Sequence, residues 1–302
     1  YFGIDKSDTI LISRPLYHCA VLTGEFLTGL VKGVKIRFYS GTFNPAVVLK
    51  MLKEYNVTAF CGTPTLISTI ARFKRKNDGD FLKHICISGE CLSLETGLYI
   101  IEAFSNAEIY HIYGLTEASP RVTYLPPDKF KEHADCVGVP LRSVSLKIIS
   151  SSGVPVKFNE IGTLWVKGDN VMAGYYNNPQ KTKEVMDNGW LCTGDLALFT
   201  DEGLLKIKGR EDDLIIKAGM NIYPQEVEGA LRLDSRVKDV FVRGYSDEKL
   251  GVQIELKITG NFSGVNEVKE LCRCSLPAYQ IPTRINLMDE IPKNGSGKII
   301  RR

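Results

Sequence analysis

From about residue 34, short β-rich runs alternate with segments of helical periodicity. The runs "VKIRFYS" (34–40), "VTAFCG" (57–62), "HICISG" (84–89) and "AEIYHIYG" (107–114) are separated by "PAVVLKMLKEYN" (45–56), "PTLISTIARFKRK" (64–76) and "SLETGLYIIEAF" (93–104). Helix-length connections between short strands predict a parallel sheet. Three of its strands run into polar loops: Cys61-Gly62-Thr63-Pro64, Ser88-Gly89-Glu90 and Tyr113-Gly114-Leu115-Thr116-Glu117. In open parallel sheets ligands bind outside the carboxyl ends of the strands, so one edge is expected to collect hydroxyls, glycines and two carboxylates.

Between about 135 and 209 the helical pattern disappears. The runs "VSLKIIS", "GTLWVKG" and "LLKIKG", with Gly, Asn, Pro and Asp turns between them, predict a small β-barrel or distorted antiparallel unit. After "GREDD" (209–213) the texture is mixed. A helix opened by Pro224, strands "KDVFVRGY" and "GVQIELKITG", a helix around 265–276 and "RINLMDEIP" predict a compact α+β domain. The expected fold is α/β: an α/β part of a large domain over 1–134 and a β-rich subdomain over 135–210, followed by an α+β domain over 211–302.

Composition narrows the function classes. At 302 residues and 44% apolar, the chain can bury two or three cores. A net charge of +3 is too small to argue for nucleic acid or an anionic membrane as partner, and no nucleic acid is expected. The basic run Arg72–Lys76 reads as the solvated end of a helix before the turn Asn77-Asp78-Gly79. No apolar run reaches membrane-spanning length. Eight cysteines without a C-x-x-C pair, and four histidines that complete no cluster, suit reduced thiols in a cytoplasmic protein better than a metal site.

Three stretches carry candidate chemistry. Thr116 and Glu117 follow a glycine at a strand end, where hydroxyl and carboxylate suit magnesium and the phosphate oxygens it bridges; a turn with an exposed Glu is the plain alternative. Asp195 follows Thr193-Gly194, which reads as a tight turn that presents a carboxylate to ribose hydroxyls, or as an ordinary hairpin. Arg210 in "KGRED" suits a ribose or phosphate contact, or a surface cation. The ending "PKNGSGKIIRR" (292–302) is not a Walker loop: Pro292 stands where the first glycine belongs and Ile299 where the magnesium hydroxyl belongs.

These pieces stand in one order: "YHIYGLTE", "GYYNNPQKT" (174–182), "GWLCTGD" (189–195), "GREDDLIIKAGMNIYPQEVE" (209–228) and "PKNGSGKIIR" (292–301). In that order the chain resembles the adenylate-forming superfamily of acyl-CoA synthetases, peptide-synthetase adenylation domains and luciferases. The resemblance implies ATP, Mg2+ and coenzyme A, or a carrier protein's phosphopantetheine, as cofactors. It places Tyr113, with Gly114, on adenine and Thr116 and Glu117 on phosphate and magnesium. Asp195, helped by Arg210, takes the ribose, and Ser88, Gly89 and Glu90 lie along the adenine or acyl pocket. Lys298 becomes the mobile lysine of adenylation, Asp212 a hinge, and Lys217 and Gly219 part of a loop lining the thiol's route. The segment "RPLYHCAVLTGEFLTGL" (14–30) matches the acyl-pocket lining. Where amino-acid-activating relatives carry an aspartate after the aromatic residue, Tyr17 is followed by His18, which disfavours an α-amino acid and suits a fatty or aryl acid.

One departure is as informative. The Ser/Thr/Gly-rich loop ending in Pro-Lys-Gly, which wraps the outer phosphates in that family, is absent, and the chain begins at Tyr1. The 302 residues are therefore expected to be a fragment with little activity alone, which a clear pyrophosphate-exchange signal would refute. Three readings follow: an acid:CoA ligase, an enzyme loading an acyl or peptidyl carrier protein, and a non-catalytic binding or scaffold protein.

Overall fold

The structure, a computed structural model, describes residues 3–41, 43–75, 81–247, 249–293 and 299–301. Seven strands form the first sheet: β1 (Thr9–Ile12), β2 (Lys35–Phe38), β3 (Ala59–Gly62), β4 (His84–Ser88), β5 (Glu108–Tyr113), β6 (Thr123–Leu125) and β7 (Val139–Pro140). Their spatial order is β2-β1-β3-β4-β5-β6-β7. The first five are mutually parallel, and β6 and β7 add antiparallel strands beyond β5.

The inner parallel strands β1, β3, β4 and β5 are largely buried on both faces, as a sheet covered on two sides requires, whereas the edge strand β2, Lys35-Ile36-Arg37-Phe38, is mostly exposed. Leu11, Phe60, Ile85, Ile87 and Ile109 point into a core shared with helices Pro45–Glu54, Pro64–Phe73 and Leu94–Ala103. Ile10, Ile12, Cys61, Cys86, Tyr110 and Ile112, on the other face, pack with Val21 and Phe26 of the helical segment over 19–32. The helices begin where their sequences say. Asn44 Oδ1 accepts from the Ala46 and Val47 amides, and Thr63 and Ser93 cap the next two, each cap contributing about 1 kcal/mol.

The second sheet comprises β8 (Val144–Ile149), β9 (Gly162–Gly168), β10 (Met186–Asp187), β11 (Trp190–Phe199) and β12 (Leu205–Arg210). Two local expectations fail here. A helix, Pro179–Val185, interrupts the region read as free of helix; it is seven residues long, buries none of them, and so has no apolar stripe to betray it. The Thr193-Gly194-Asp195 turn is instead a kink inside β11, where Gly194 takes φ +70° without leaving the strand.

The chain divides into two compact units: Tyr1–Thr193 with Ala197–Ile207, and Gly194–Leu196 with Lys208–Arg302. In the second, β13 (Ile215–Lys217) and β14 (Met220–Ile222) form a hairpin. β15 (Val237–Asp247), β16 (Gly251–Gly260) and β17 (Arg284–Leu287) form a mixed sheet. Its core is Val240, Val242, Ile254, Leu256 and Ile258 against Val227 and Leu231 of helix Pro224–Arg232 and Val268 and Cys272 of helix Val265–Ser275. The α/β portion followed by an α+β portion is the architecture expected from the hydrophobic pattern. Cys19, Cys61, Cys86, Cys136, Cys272 and Cys274 are free thiols. Among the described residues no helix is long and apolar enough to cross a membrane.

Candidate active site

At the carboxyl end of the parallel strands, β4 and β5 run side by side with Ser88 opposite Ile112, which brings Ser88-Gly89-Glu90 beside Tyr113. Gly89 takes φ +96°, and Glu90 accepts the Thr65 hydroxyl at 2.7 Å. After β5, Gly114 is the tightest point: a Cβ there would lie 1.5 Å from the Pro120 carbonyl oxygen. No other residue permits that approach of two backbones. Tyr113 packs its ring against the core that includes Ala118, Val122 and Leu164.

Thr116, Glu117 and Ala118 form a single 3-10 turn. Thr116 is exposed and sits 3.5 Å from Cys19 Sγ, so the residue after the Tyr17-His18 pair lies against the proposed phosphate hydroxyl. Tyr17 itself is 71% exposed, with its ring centroid 4.7 Å from that of His18. Glu117 is held from two sides. The Tyr175 hydroxyl donates to its Oε1 at 2.8 Å, and the Met172 amide donates to its carbonyl at 2.8 Å. Among the described residues no group of three metal-ligating side chains occurs. Glu117 and Thr116 offer hard oxygens of the kind a magnesium ion takes when phosphates supply its remaining ligands.

Tyr175 was not singled out from the sequence, although its motif "GYYNNPQKT" was quoted there. The structure shows what the motif builds. Asn178 caps the helix by accepting the Lys181 amide at 3.0 Å, Pro179 opens it, and the Thr182 hydroxyl donates to the Asn178 carbonyl while accepting the Tyr175 amide at 2.9 Å. The turn thereby aims one tyrosine at Glu117 and leaves Tyr176 93% exposed.

His111 supports the same strand end. Its buried ring places Nδ1 2.9 Å and 2.8 Å from the Ala134 and Cys136 carbonyls; carbonyls only accept, so Nδ1 carries the proton. Burial holds this imidazole below its usual pKa despite those bonds.

In the second unit, Asp195 is nearly buried and receives Arg210 Nη1 at 3.3 Å, while Arg210 remains half exposed. Asp212 lies in the 3-10 turn Glu211–Asp213. Ala218 and Gly219 form the two-residue tip of the β13–β14 hairpin with φ +48° and +79°, and a Cβ on Gly219 would meet nothing within 4 Å. Lys217 reaches the Tyr279 carbonyl at 3.4 Å. Lys298 lies outside the described residues, as does the turn expected at 77–79. The flanks of Lys298 are well anchored. Lys293 pairs with Asp239 at 2.6 Å, and Lys293 and Ile299 form a β-bridge. Arg301 pairs with the buried Glu228 at 2.7 Å.

The profile of the AMP-binding enzyme family matches residues 1–176, and that of the AMP-binding enzyme C-terminal domain matches 226–298. The chain belongs to the AMP-binding enzyme family. This is the adenylate-forming superfamily that the ordered motifs resembled. Within it, the chain is 31% identical over 306 residues to a long-chain-fatty-acid–CoA ligase of Haemophilus influenzae, covering 98% of this chain and 53% of that protein. It is also 31% identical to a feruloyl-CoA synthase of an Amycolatopsis species, covering 61% of it. The o-succinylbenzoate CoA synthetase of Bacillus subtilis, solved with its acyl-adenylate intermediate, superposes with a TM-score of 0.87 at 29% identity, over 99% of this chain and 61% of that one. The same synthetase has been solved with ATP and magnesium ion. The chain thus spans about half the length of the curated fatty-acid ligases it matches.

Proposed function

We propose that the protein containing this chain is an ATP-dependent acid:CoA ligase of the AMP-forming type, cytoplasmic, acting on a fatty or aryl acid. The observation that carries this reading is Glu117, oriented by Tyr175 beside Thr116 at the carboxyl end of a parallel strand. A carboxylate oxygen of the acid attacks the α-phosphorus of ATP, the bond from that phosphorus to the bridging oxygen breaks, and pyrophosphate leaves. A thiol then attacks the acyl carbon of the mixed anhydride; AMP departs with the bonding pair and the thiol proton passes to solvent. No general base is needed for the first step, because the carboxylate is already ionised at pH 7.

The chain's residues position and neutralise. Thr116 donates to a phosphate oxygen, Tyr113 and the Ser88–Glu90 loop flank the base, and Asp195 accepts ribose hydroxyls while Arg210 orients it. Magnesium, when bound by Glu117 and phosphate oxygens, supplies charge neutralisation. Lys298 bridges the acid's carboxylate and the α-phosphate in adenylation. Asp212 serves as hinge, and the backbone at Lys217–Gly219 lines the thiol's route in the second step. Coenzyme A is favoured as acceptor over a carrier protein because the similar proteins named above act on CoA.

The test is product analysis of the intact protein with ATP, Mg2+, CoA and panels of fatty and aryl acids. AMP, pyrophosphate and acyl-CoA in equal amounts are expected. ADP and phosphate, or acyl transfer only to a phosphopantetheinylated carrier, would overturn it.

A further inference from the structure

The reversal that follows the Thr116–Ala118 turn is backbone under strain. Ser119 takes φ +51°, a left-handed conformation that is costly for a residue with a Cβ and persists only where its surroundings hold it. Pro120 and Arg121 then bring the chain back over the end of β5. A Cβ on Gly114 would meet the Pro120 carbonyl, and the Val122 amide donates to the Tyr113 carbonyl at 2.9 Å. Residues 114–121 are thus a loop closed at its neck, and that loop carries Thr116 and Glu117.

What holds the reversal comes from β9. Two residues past the end of that strand, Asn170 Nδ2 donates to the Ala118 carbonyl at 2.8 Å and to the Arg121 carbonyl at 2.9 Å, one bond on each side of Ser119. Carbonyls only accept, so the amide nitrogen faces them and both its hydrogens are used. Among neutral side chains only a primary amide carries two donors on one atom. Its Oδ1 is buried with no hydrogen-bond partner among the described residues, a cost that the two donor bonds offset. Gly168 makes the placement possible. The Val171 amide closes a turn on the Gly168 carbonyl at 3.1 Å, and a Cβ on Gly168 would come 2.7 Å from Asn170 Oδ1. The same stretch then reaches Glu117 itself, with the Met172 amide on its carbonyl and the Tyr175 hydroxyl on its carboxylate.

We infer that Asn170 is a positioning residue of adenylation: by clamping the reversal at Ala118 and Arg121, it fixes the direction in which Thr116 and Glu117 meet phosphate and magnesium. It acts through the turn rather than on a substrate. This rests on the acid-ligase reading above and adds to it a residue outside the ordered motifs. The effect belongs to the first half-reaction, because the oriented phosphate contact is spent once pyrophosphate has left.

Acid-dependent pyrophosphate exchange of the intact protein is measured beside thioester formation from supplied acyl-adenylate. In Asn170→Ala, kcat/KM for ATP in exchange is expected to fall at least tenfold, with KM for the acid and the thioester rate within about twofold of wild type. Asn170→Asp gives a readout that a structural role would not move. Its ionised carboxylate only accepts and repels both carbonyls, whereas the protonated form regains one donor. Burial beside two carbonyls raises the pKa of such a carboxyl. The exchange rate of Asn170→Asp divided by that of Asn170→Ala, which cancels the pH dependence common to both, should therefore rise at least fivefold from about pH 8 to about pH 5.5. Asn170→Ser, which keeps a single donor, replaces Asn170→Ala in the ratio if the latter does not fold, and should itself lose at least threefold in exchange. A ratio that stays flat with pH, or an equal loss in both half-reactions, overturns the inference while the ligase reading stands on wild-type exchange. Absence of acid-dependent exchange in the wild type removes the ligase reading and this inference together.

Discussion

Tyr175→Phe removes one oxygen from the protein and leaves the ring. In the wild type that oxygen donates to Glu117 Oε1 at 2.8 Å, and both residues are half-buried. A hydrogen bond to a charged acceptor is worth about 1.5–3 kcal/mol net, and partial access of water to Glu117 sets the value near the lower end. At about 1.4 kcal/mol per factor of ten, adenylation should slow roughly tenfold if Glu117 must be held in place in the transition state. The assay is acid-dependent pyrophosphate exchange with the intact protein, paired with thioester formation from supplied acyl-adenylate. The first should fall and the second stay within about twofold, since the phosphate contact is spent once the adenylate exists. A cycle with Glu117→Ala closes the argument: with the carboxylate gone, Tyr175→Phe should have no further effect beyond about 0.5 kcal/mol. Unchanged exchange in Tyr175→Phe, or an equal additional loss in the double mutant, would refute the role given to this contact.

Three further outcomes are expected. Lys298→Ala should suppress acyl-adenylate formation while sparing thioester formation from supplied adenylate, and equal loss of both half-reactions would remove Lys298 from the first alone. Glu228→Ala, which removes the acceptor of the Val242 amide at 2.9 Å and the carboxylate that Arg301 and Arg232 face at 2.7 and 3.4 Å, should destabilise the second unit by about 3 kcal/mol in urea denaturation, the low end for a broken buried pair because Arg232 keeps the Val240 carbonyl and Arg301 keeps Asp213; a change below about 1 kcal/mol would count against it. His111 has its pKa depressed by burial, so the unfolded chain binds the proton more readily. Its contribution to stability is whole above about pH 6.5 and is lost as pH falls below that, and His111→Gln should flatten the acid side of the Tm–pH profile.

Much of this molecule follows from local rules that act along the chain. Short, nearly continuous apolar runs joined by capped, helix-length connections dictate a parallel sheet, because each cap and each buried strand is specified within a few residues of where it acts. The turn residues Gly89 and Gly219, and the loop at Tyr113–Glu117, were legible for the same reason: their neighbours in sequence are their neighbours in space. The helix Pro179–Val185 escaped notice because it buries nothing and therefore carries no stripe. Gly194 misled because a positive φ is shared by a turn and a kinked strand, and only pairing across β11 separates the two. What the sequence by itself determined is the alternation of strands and helices from about residue 34, the ends of those strands and the residue types offered there; β1, which lies between β2 and β3, was not read from the pattern. Only the tertiary structure decided that Tyr175 reaches back 58 residues to hold Glu117, that Arg14 and Glu25 pair inside the core, and that Gly24 makes room for Arg121. Those choices depend on the distance between side chains that chain folding alone brings together, and no local pattern encodes a distance between residues so far apart.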